Sequence, residues 1–279
     1  MLVRPTAAMQ EALDREAPEA LQRWASQLPA TVAGVLDHWG LTAEAPYEPG
    51  GACSWTAPAG DVVVKVSWRH PESEYEVLGL RVWDGGGAVR VLDELVLDDT
   101  RALLLERCRP GTWLASERAP EEQDVVLTGL LQRLWPAPAD GFPTLTSMCD
   151  TWADEAEARA GGLDRGLLDE GLSLMRSLPR TADREALLCT DLHARNILAA
   201  EREPWLVIDP KPHRGDPHYD VTQHLFNNSD RLRSQPRQWI RRMAALADLD
   251  GARVRAWMLA RLVCEGTRVP WYADVARRL

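Results

Sequence analysis

No apolar run in the 279-residue chain approaches the roughly 20 residues needed to span a bilayer as a helix. Residues Met1 to Arg15 also lack the apolar core of a signal peptide, and together these absences predict a cytoplasmic protein. An excess of basic residues is missing too. Forty-two acidic side chains against 32 Lys and Arg leave a formal charge of -10, which excludes the basic footprint of a nucleic-acid binder. Acidity of this kind suits a cationic small ligand, although it also serves solubility. The five cysteines are odd in number and scattered without paired spacing, so no disulfide framework is expected and a reduced compartment follows. Cys189 and His193 form half of a zinc pattern at most, since His213, His218 and His224 complete no recognisable ligand spacing. A Gly-x-x-x-x-Gly-Lys-Ser/Thr segment is absent, which excludes that type of phosphate cradle. There is no internal repeat or low-complexity tail. Phenylalanine is nearly absent, with two residues, whereas the twelve tryptophans mostly fall at helical or strand spacing and read as packing.

The most informative segment present is Cys189-Thr190-Asp191-Leu192-His193-Ala194-Arg195-Asn196, followed by Ile197 to Ala200, a polar turn at Glu201 to Pro204, and Trp205-Leu206-Val207-Ile208-Asp209-Pro210. Two short apolar runs around a polar turn predict a hairpin that returns Asp209 to the neighbourhood of Asn196. An aspartate and an asparagine at the ends of one tight loop can accept a hydroxyl proton and ligate a metal, and a carboxylate on the next strand completes the metal site. An Asx turn followed by an ordinary hairpin is the structural alternative.

Such chemistry requires a strand lysine held by a helix glutamate. The run Asp61-Val62-Val63-Val64-Lys65-Val66 contains one lysine in a β-branched strand, where an unpaired ammonium is costly unless it faces solvent at an edge. Glu72, Glu74 and Glu76 follow in a segment of helical apolar spacing that ends at Trp83, and Glu76 is favoured over Glu72 as the partner of Lys65. Gly50-Gly51 stands where a loop covering the nucleotide phosphates is expected, although the same pair makes ordinary hairpins. Ala102 to Glu106 reads as a strand entering a polar connector through Cys108, and Glu106 and Cys108 are the candidates for reading an adenine edge through backbone groups.

In this order of parts the chain resembles the aminoglycoside phosphotransferases of the protein-kinase-like superfamily, nearest the streptomycin 6-phosphotransferase and hydroxyurea phosphotransferase branch. The resemblance is carried by Asp191-Leu192-His193, Asn196 to Pro212, Gly215-Asp216-Pro217 with Tyr219-Asp220, Gly79 to Trp83, Gly85 to Arg90 and Leu103 to Arg107. It implies an α+β fold with a small β-rich N-lobe and a larger helical C-lobe. It also implies ATP and Mg²⁺ as cofactors, Asp191 as the base, Asn196 and Asp209 as metal ligands and Lys65 as the phosphate grip. Relatives typically carry a histidine two residues before the base, where this chain has Cys189, a departure that bears on loop geometry and turnover. Asp216 and Asp220 are expected to be structural, as a helix cap or a brace of the catalytic loop.

The expected lobes are residues 1–108, with a helical N-terminal extension interrupted at Pro29, and residues 109–279. C-lobe helices are expected over Glu121 to Trp135, Asp150 to Glu157, Asp164 to Leu178, Val221 to Asn227, Gln235 to Ala247 and Ala252 to Thr267. The acceptor is expected to be a small hydroxyl compound, cationic and aminoglycoside-like, drawn to Asp154 and Glu157; each of these is also an ordinary solvated helix charge. A sugar or amine kinase and a weakly active pseudokinase are the alternatives. Nothing points to nucleic acid, membrane or an obligate protein partner.

Overall fold

The β-branched run at Val62 lies in the centre of a four-stranded antiparallel sheet. Its strands are β1 (Ser54–Ala59), β2 (Val62–Trp68), β3 (Val91–Val96) and β4 (Thr100–Glu106), in the order β1-β2-β4-β3. This is a computed structural model that describes residues 3–15, 17–70, 73–159 and 162–279. Two helices precede the sheet, α1 (Ala7–Asp14) and α2 (Glu19–Trp39), and α3 (Glu76–Trp83) lies between β2 and β3. Leu21, Trp24, Leu28, Val32 and Val35 of α2 are buried in one apolar cluster with Trp55, Ala57, Val64, Val66 and Ala102 of the sheet. Inside that cluster the Trp24 indole donates to Thr100 Oγ1 at 2.8 Å.

The expected break at Pro29 does not occur, because α2 runs through it. An internal proline costs about 3 kcal/mol. Leu28, immediately before that point, and Val32, three residues after it, are fully buried and are each worth about 1.5–3 kcal/mol, which outweighs the cost. The interruption falls earlier, between Asp14 and Glu19, where Pro18 sits at the N-cap.

The chain divides into two compact units, Met1–Gly111 and Thr112–Leu279. The first closes at Gly111 rather than at residue 108, as Arg107 bonds Gly60 O at 2.6 Å and Arg109 bonds Asp61 at 2.8 Å, tying the connector back to the β1–β2 turn.

The second unit is mostly helical: α4 (Leu114–Glu117), α5 (Pro120–Leu134), α6 (Leu145–Ala158), α7 (Arg165–Ser177), α8 (Pro217–Asp220), α9 (Thr222–Phe226), α10 (Ser229–Ser234), α11 (Pro236–Leu246), α12 (Gly251–Gly266) and α13 (Pro270–Ala276). Two short antiparallel pairs interrupt the helices: β5 (Ala186–Leu188) with β8 (His213–Gly215), and β6 (Ile197–Ala199) with β7 (Trp205–Val207). Helix α6 starts at Leu145, capped by Thr144, and so precedes the expected start at Asp150; its first turn carries no acidic residue to mark it. Helix α12 packs closely on α7, where a Cβ on Gly171 would meet Val263 at 2.4 Å. Asp124 of α5 is fully buried and meets Arg231 at 2.6 Å, Arg242 at 2.8 Å and His224 at 3.2 Å, which fixes α9, α10 and α11 to α5. Burial pushes the Asp124 carboxyl up, but the hydrogen bonds from His224, Arg231 and Arg242 prevail and hold it at about 2. Among the described residues no helix is long and apolar enough to cross a membrane.

Candidate active site

In the first unit Lys65 projects from β2 and Glu76 from the first turn of α3. Their side chains are 9% and 7% exposed, and Lys65 Nζ donates to Glu76 Oε1 at 2.6 Å and Oε2 at 2.8 Å. Pairing removes the cost that made this lysine unexpected in a strand. The alternative partner, Glu72, lies outside the described residues. Glu74 instead meets Arg69 and Arg101, both at 2.8 Å.

The Gly50-Gly51 turn is closely packed. Gly50 has φ +74°, and a Cβ there would meet the buried Thr6 side chain at 2.6 Å; a Cβ on Gly51 would meet Ser54 Oγ at 2.4 Å. The left-handed backbone and the Thr6 contact account for glycine at position 50. At the connector, Glu106 accepts the Arg90 N–H through its side chain at 3.1 Å, and Cys108 is buried.

In the second unit, β5 leads directly into the loop that carries Asp191. Asp220 at the end of α8 holds this loop from beneath. One carboxylate oxygen accepts the Thr190 N–H at 2.7 Å, and the other accepts the Cys189 N–H and the Trp135 indole N–H, each at 3.0 Å. Asp220 is fully buried; burial raises its carboxyl to about 6, and the three donors keep it from rising further. Thr190 has φ +51°, a left-handed conformation that costs a β-branched residue of order 1–3 kcal/mol, and its hydroxyl donates to Lys211 O at 2.5 Å. Asp216, in contrast, caps α8 at the His218 N–H and binds Arg253 and Trp257 at 2.6 and 2.7 Å. Desolvation raises the buried Cys189 thiol well above its ordinary value, which disfavours the reactive thiolate.

The β6–β7 hairpin returns the chain as its spacing predicts. Ile197 pairs with Val207, and the Ile208 N–H donates to Asn196 O at 2.9 Å, so Asp209 follows one residue beyond a direct backbone bond to Asn196. The Asn196 amide nitrogen donates to Asp191 O at 3.0 Å, which leaves the amide oxygen as the end suited to a cation. Asp209 is exposed with φ +51°. Among the described residues no three His, Cys, Asp or Glu side chains are grouped to hold a metal. The donors at this hairpin are an amide oxygen and a carboxylate, an all-oxygen set that fits Mg²⁺ with phosphates and water filling the remaining positions.

Two residues beside Asp191 escaped the sequence reading. Gln223 of α9 donates its amide N–H to Asp191 Oδ1 at 2.7 Å, and Lys211 Nζ lies 3.4 Å from Asp191 Oδ2. Lys211 carried a usable signal, because the sequence has only two lysines, Lys65 and Lys211, among 32 basic residues. Gln223 carried none. Burial lowers the His193 imidazole from its ordinary value, and its Nδ1 accepts the Arg195 N–H at 3.2 Å.

The carboxylates expected to meet the acceptor are each engaged by an arginine. Asp154 and Glu157 both bind Arg176 at 2.8 Å, Asp150 binds Arg180 at 2.7 Å, and Glu155 binds Arg268 at 3.0 Å. One arginine thus sits against two of the carboxylates that were to attract a cation, and the helical spacing of acids on α6 gave no sign of arginines on α7 and beyond.

A strand lysine paired with a helix glutamate, together with an aspartate–asparagine loop closed by a hairpin aspartate, defines a protein-kinase-like phosphotransferase acting on a hydroxyl group. Comparison with known proteins narrows the class. Residues 55–274 match the model of the aminoglycoside/hydroxyurea antibiotic resistance kinase family, and the chain belongs to that family. It is 34% identical over 269 residues to streptomycin 6-kinase of Streptomyces griseus, covering 91% of this chain and 86% of that protein. It is 35% identical to hydroxyurea phosphotransferase of Kitasatospora aureofaciens, covering 85% and 71%. Among solved structures, an aminoglycoside phosphotransferase from Streptomyces rimosus, in complex with ADP and streptomycin, shares the fold with a TM-score of 0.58 at 16% identity over 85% of this chain and 98% of that one.

Proposed function

We propose that the chain transfers the γ-phosphoryl group of ATP to a hydroxyl of a small cationic acceptor, with streptomycin-type aminoglycosides as the leading class. Similarity over most of both chains to a streptomycin 6-kinase supports the acceptor class. The observation that carries the reaction type is the loop in which Asp191, partly exposed, lies beside the Asn196 and Asp209 hairpin.

Asp191 takes the acceptor proton as the acceptor oxygen attacks the γ-phosphorus and the bond to the bridging oxygen of ADP breaks. Lys65, oriented by Glu76, binds the nucleotide phosphates. Asn196 and Asp209 hold Mg²⁺, which when bound offsets the negative charge of the phosphate oxygens. Glu106 and Cys108 mark the backbone proposed to meet the adenine. Hydroxyurea is a second acceptor to consider, on the similarity to the Kitasatospora enzyme.

The test is a panel assay of ADP release from purified chain with Mg·ATP and, separately, streptomycin, hydroxyurea, choline and neutral sugars, with the product confirmed by mass. A phosphorylated aminoglycoside is expected. Turnover confined to neutral sugars overturns the acceptor class, and no turnover on any acceptor alongside tight Mg·ATP binding favours the pseudokinase.

A further inference from the structure

Arg261 of α12 is a buried guanidinium, 5% exposed, that hydrogen-bonds to no carboxylate among the described residues. Its NH1 donates to Thr222 Oγ1 at 2.7 Å and its NH2 to Gln223 Oε1 at 2.6 Å. Its charge lies over the rings of Phe226 and Tyr219, 4.4 and 4.8 Å from their centres. Breaking such an arrangement is costly, and a Met or Leu at this position would pack without it. What the guanidinium gains is control of the Gln223 amide.

The amide direction is forced by its two neighbours. Arginine has only donors, so Gln223 must turn its oxygen to Arg261; an ionised carboxylate has only acceptors, so its nitrogen must face Asp191 Oδ1, 2.7 Å away. Helix α9 is itself held in place on its other side, where His224 lies 3.2 Å from the buried Asp124. A rigid chain of contacts thus runs from the core of the second unit to the carboxylate proposed as the base.

We propose that Arg261 and Gln223 form a positioning relay that fixes the Asp191 carboxylate and assigns Oδ2 as the oxygen that receives the acceptor proton. The inference rests on Asp191 acting as the base. With Oδ1 occupied by the Gln223 amide, the hydroxyl proton moves to Oδ2 as the new O–P bond forms and ADP departs with the electron pair of the broken bond. Lys211, 3.4 Å from Oδ2, lies on that side of the carboxylate.

The experiment uses whichever acceptor the panel identifies, with streptomycin as the first probe, and compares wild type with Gln223→Met, Gln223→Glu, Arg261→Lys and Asp191→Asn. Gln223→Met keeps length but has no amide, and it is expected to lower kcat by up to about 10²-fold, the cost of an ångström-scale misplacement, with ATP KM unchanged and a lower melting temperature because the buried Arg261 guanidinium loses an acceptor. Gln223→Glu keeps the Arg261 contact and cannot donate to an ionised Asp191, so it is expected to lose kcat as well. A merely structural role for Gln223 predicts that Glu rescues. In the Asp191→Asn background, Gln223→Met is expected to produce no further loss, since both act through one group. Wild-type kcat in either Gln223 variant, or full additivity with Asp191→Asn, overturns the relay. If Arg261→Lys or Gln223→Met fails to fold, Gln223→Glu decides, which keeps the Arg261 contact and should likewise add no further loss in the Asp191→Asn background. Full turnover by Asp191→Asn itself refutes the base assignment, which is a different outcome from a failed relay.

Discussion

Replacing Asp220 by asparagine is expected to separate loop geometry from global stability, through its dependence on pH. Burial raises the Asp220 carboxyl from the ordinary aspartate value of 3.8 to about 6, against the lowering pull of the Trp135, Cys189 and Thr190 N–H donors. The folded chain therefore binds this proton more tightly than the unfolded chain does. The stabilisation it brings is fully present below the unfolded value and is lost as pH rises through about 6. A shift of about two units corresponds to roughly 3 kcal/mol. Asparagine does not titrate, and it offers one acceptor oxygen where the carboxylate offers two to three N–H groups. The buried donor left without an acceptor costs about 1–3 kcal/mol. Near pH 4, where the folded carboxyl is protonated, the wild type's advantage over the variant should be largest. At neutral pH that advantage should be smaller by roughly 3 kcal/mol. Turnover should still drop at neutral pH, because the Thr190 N–H loses its partner and the strained residue before Asp191 is released. Urea unfolding followed by tryptophan fluorescence at several pH values reads the difference, with the wild type as the internal control for every other carboxylate. A difference that stays constant with pH, or grows toward neutrality, refutes the reasoning.

Lys65→Met should cost about 3–5 kcal/mol, since it removes the ammonium that the nearly buried Glu76 carboxylate accepts from; adding Glu76→Met should restore most of the stability but not nucleotide affinity, as thermal melts and calorimetry would show. Asp209→Ala should weaken Mg²⁺-dependent ATP binding by about tenfold or more, equivalent to at least ~1.4 kcal/mol, and should do so more than Asp191→Asn does; equal affinities by calorimetry in Mg²⁺ exclude it as a ligand. Neutralising Asp154 and Glu157 together should change stability by less than about 1 kcal/mol, as befits exposed ion pairs, and leave acceptor KM at the wild-type value, because Arg176 already engages both. A salt-sensitive rise in acceptor KM would reinstate them as acceptor contacts.

What could be read from the sequence was whatever depends on neighbours close in the chain. The Asp191–Asn196 spacing and the hairpin to Asp209 are local, so alternation and a polar turn were enough to bring the three into one neighbourhood. The Lys65–Glu76 pair spans only eleven positions, and the lysine announced itself by its place in a valine strand. Partners brought from distant elements left no comparable trace. Gln223 reaches Asp191 across 32 positions, and Arg176 reaches Glu157 from the next helix, so neither alters the local pattern at its partner. Pro29 misled for the opposite reason. The propensity rule was sound, but buried Leu28 and Val32 decided the matter through tertiary packing that the local pattern does not price. Gly50 does use the permissive backbone for which it was read, with φ +74°, but its close contact with Thr6, far upstream and fully buried, left no trace in the local pattern.

The central claim is that Asp191 takes the acceptor proton in a phosphoryl transfer, and one paired measurement tests it most directly. Wild type and Asp191→Asn would be compared for Mg·ATP affinity by calorimetry and for transfer to the accepted substrate by single-turnover phosphorus detection. Nearly equal affinity, an unchanged melting temperature and a transfer rate lower by about 10²- to 10⁴-fold are predicted for the variant. Transfer at the wild-type rate by Asp191→Asn would contradict the account.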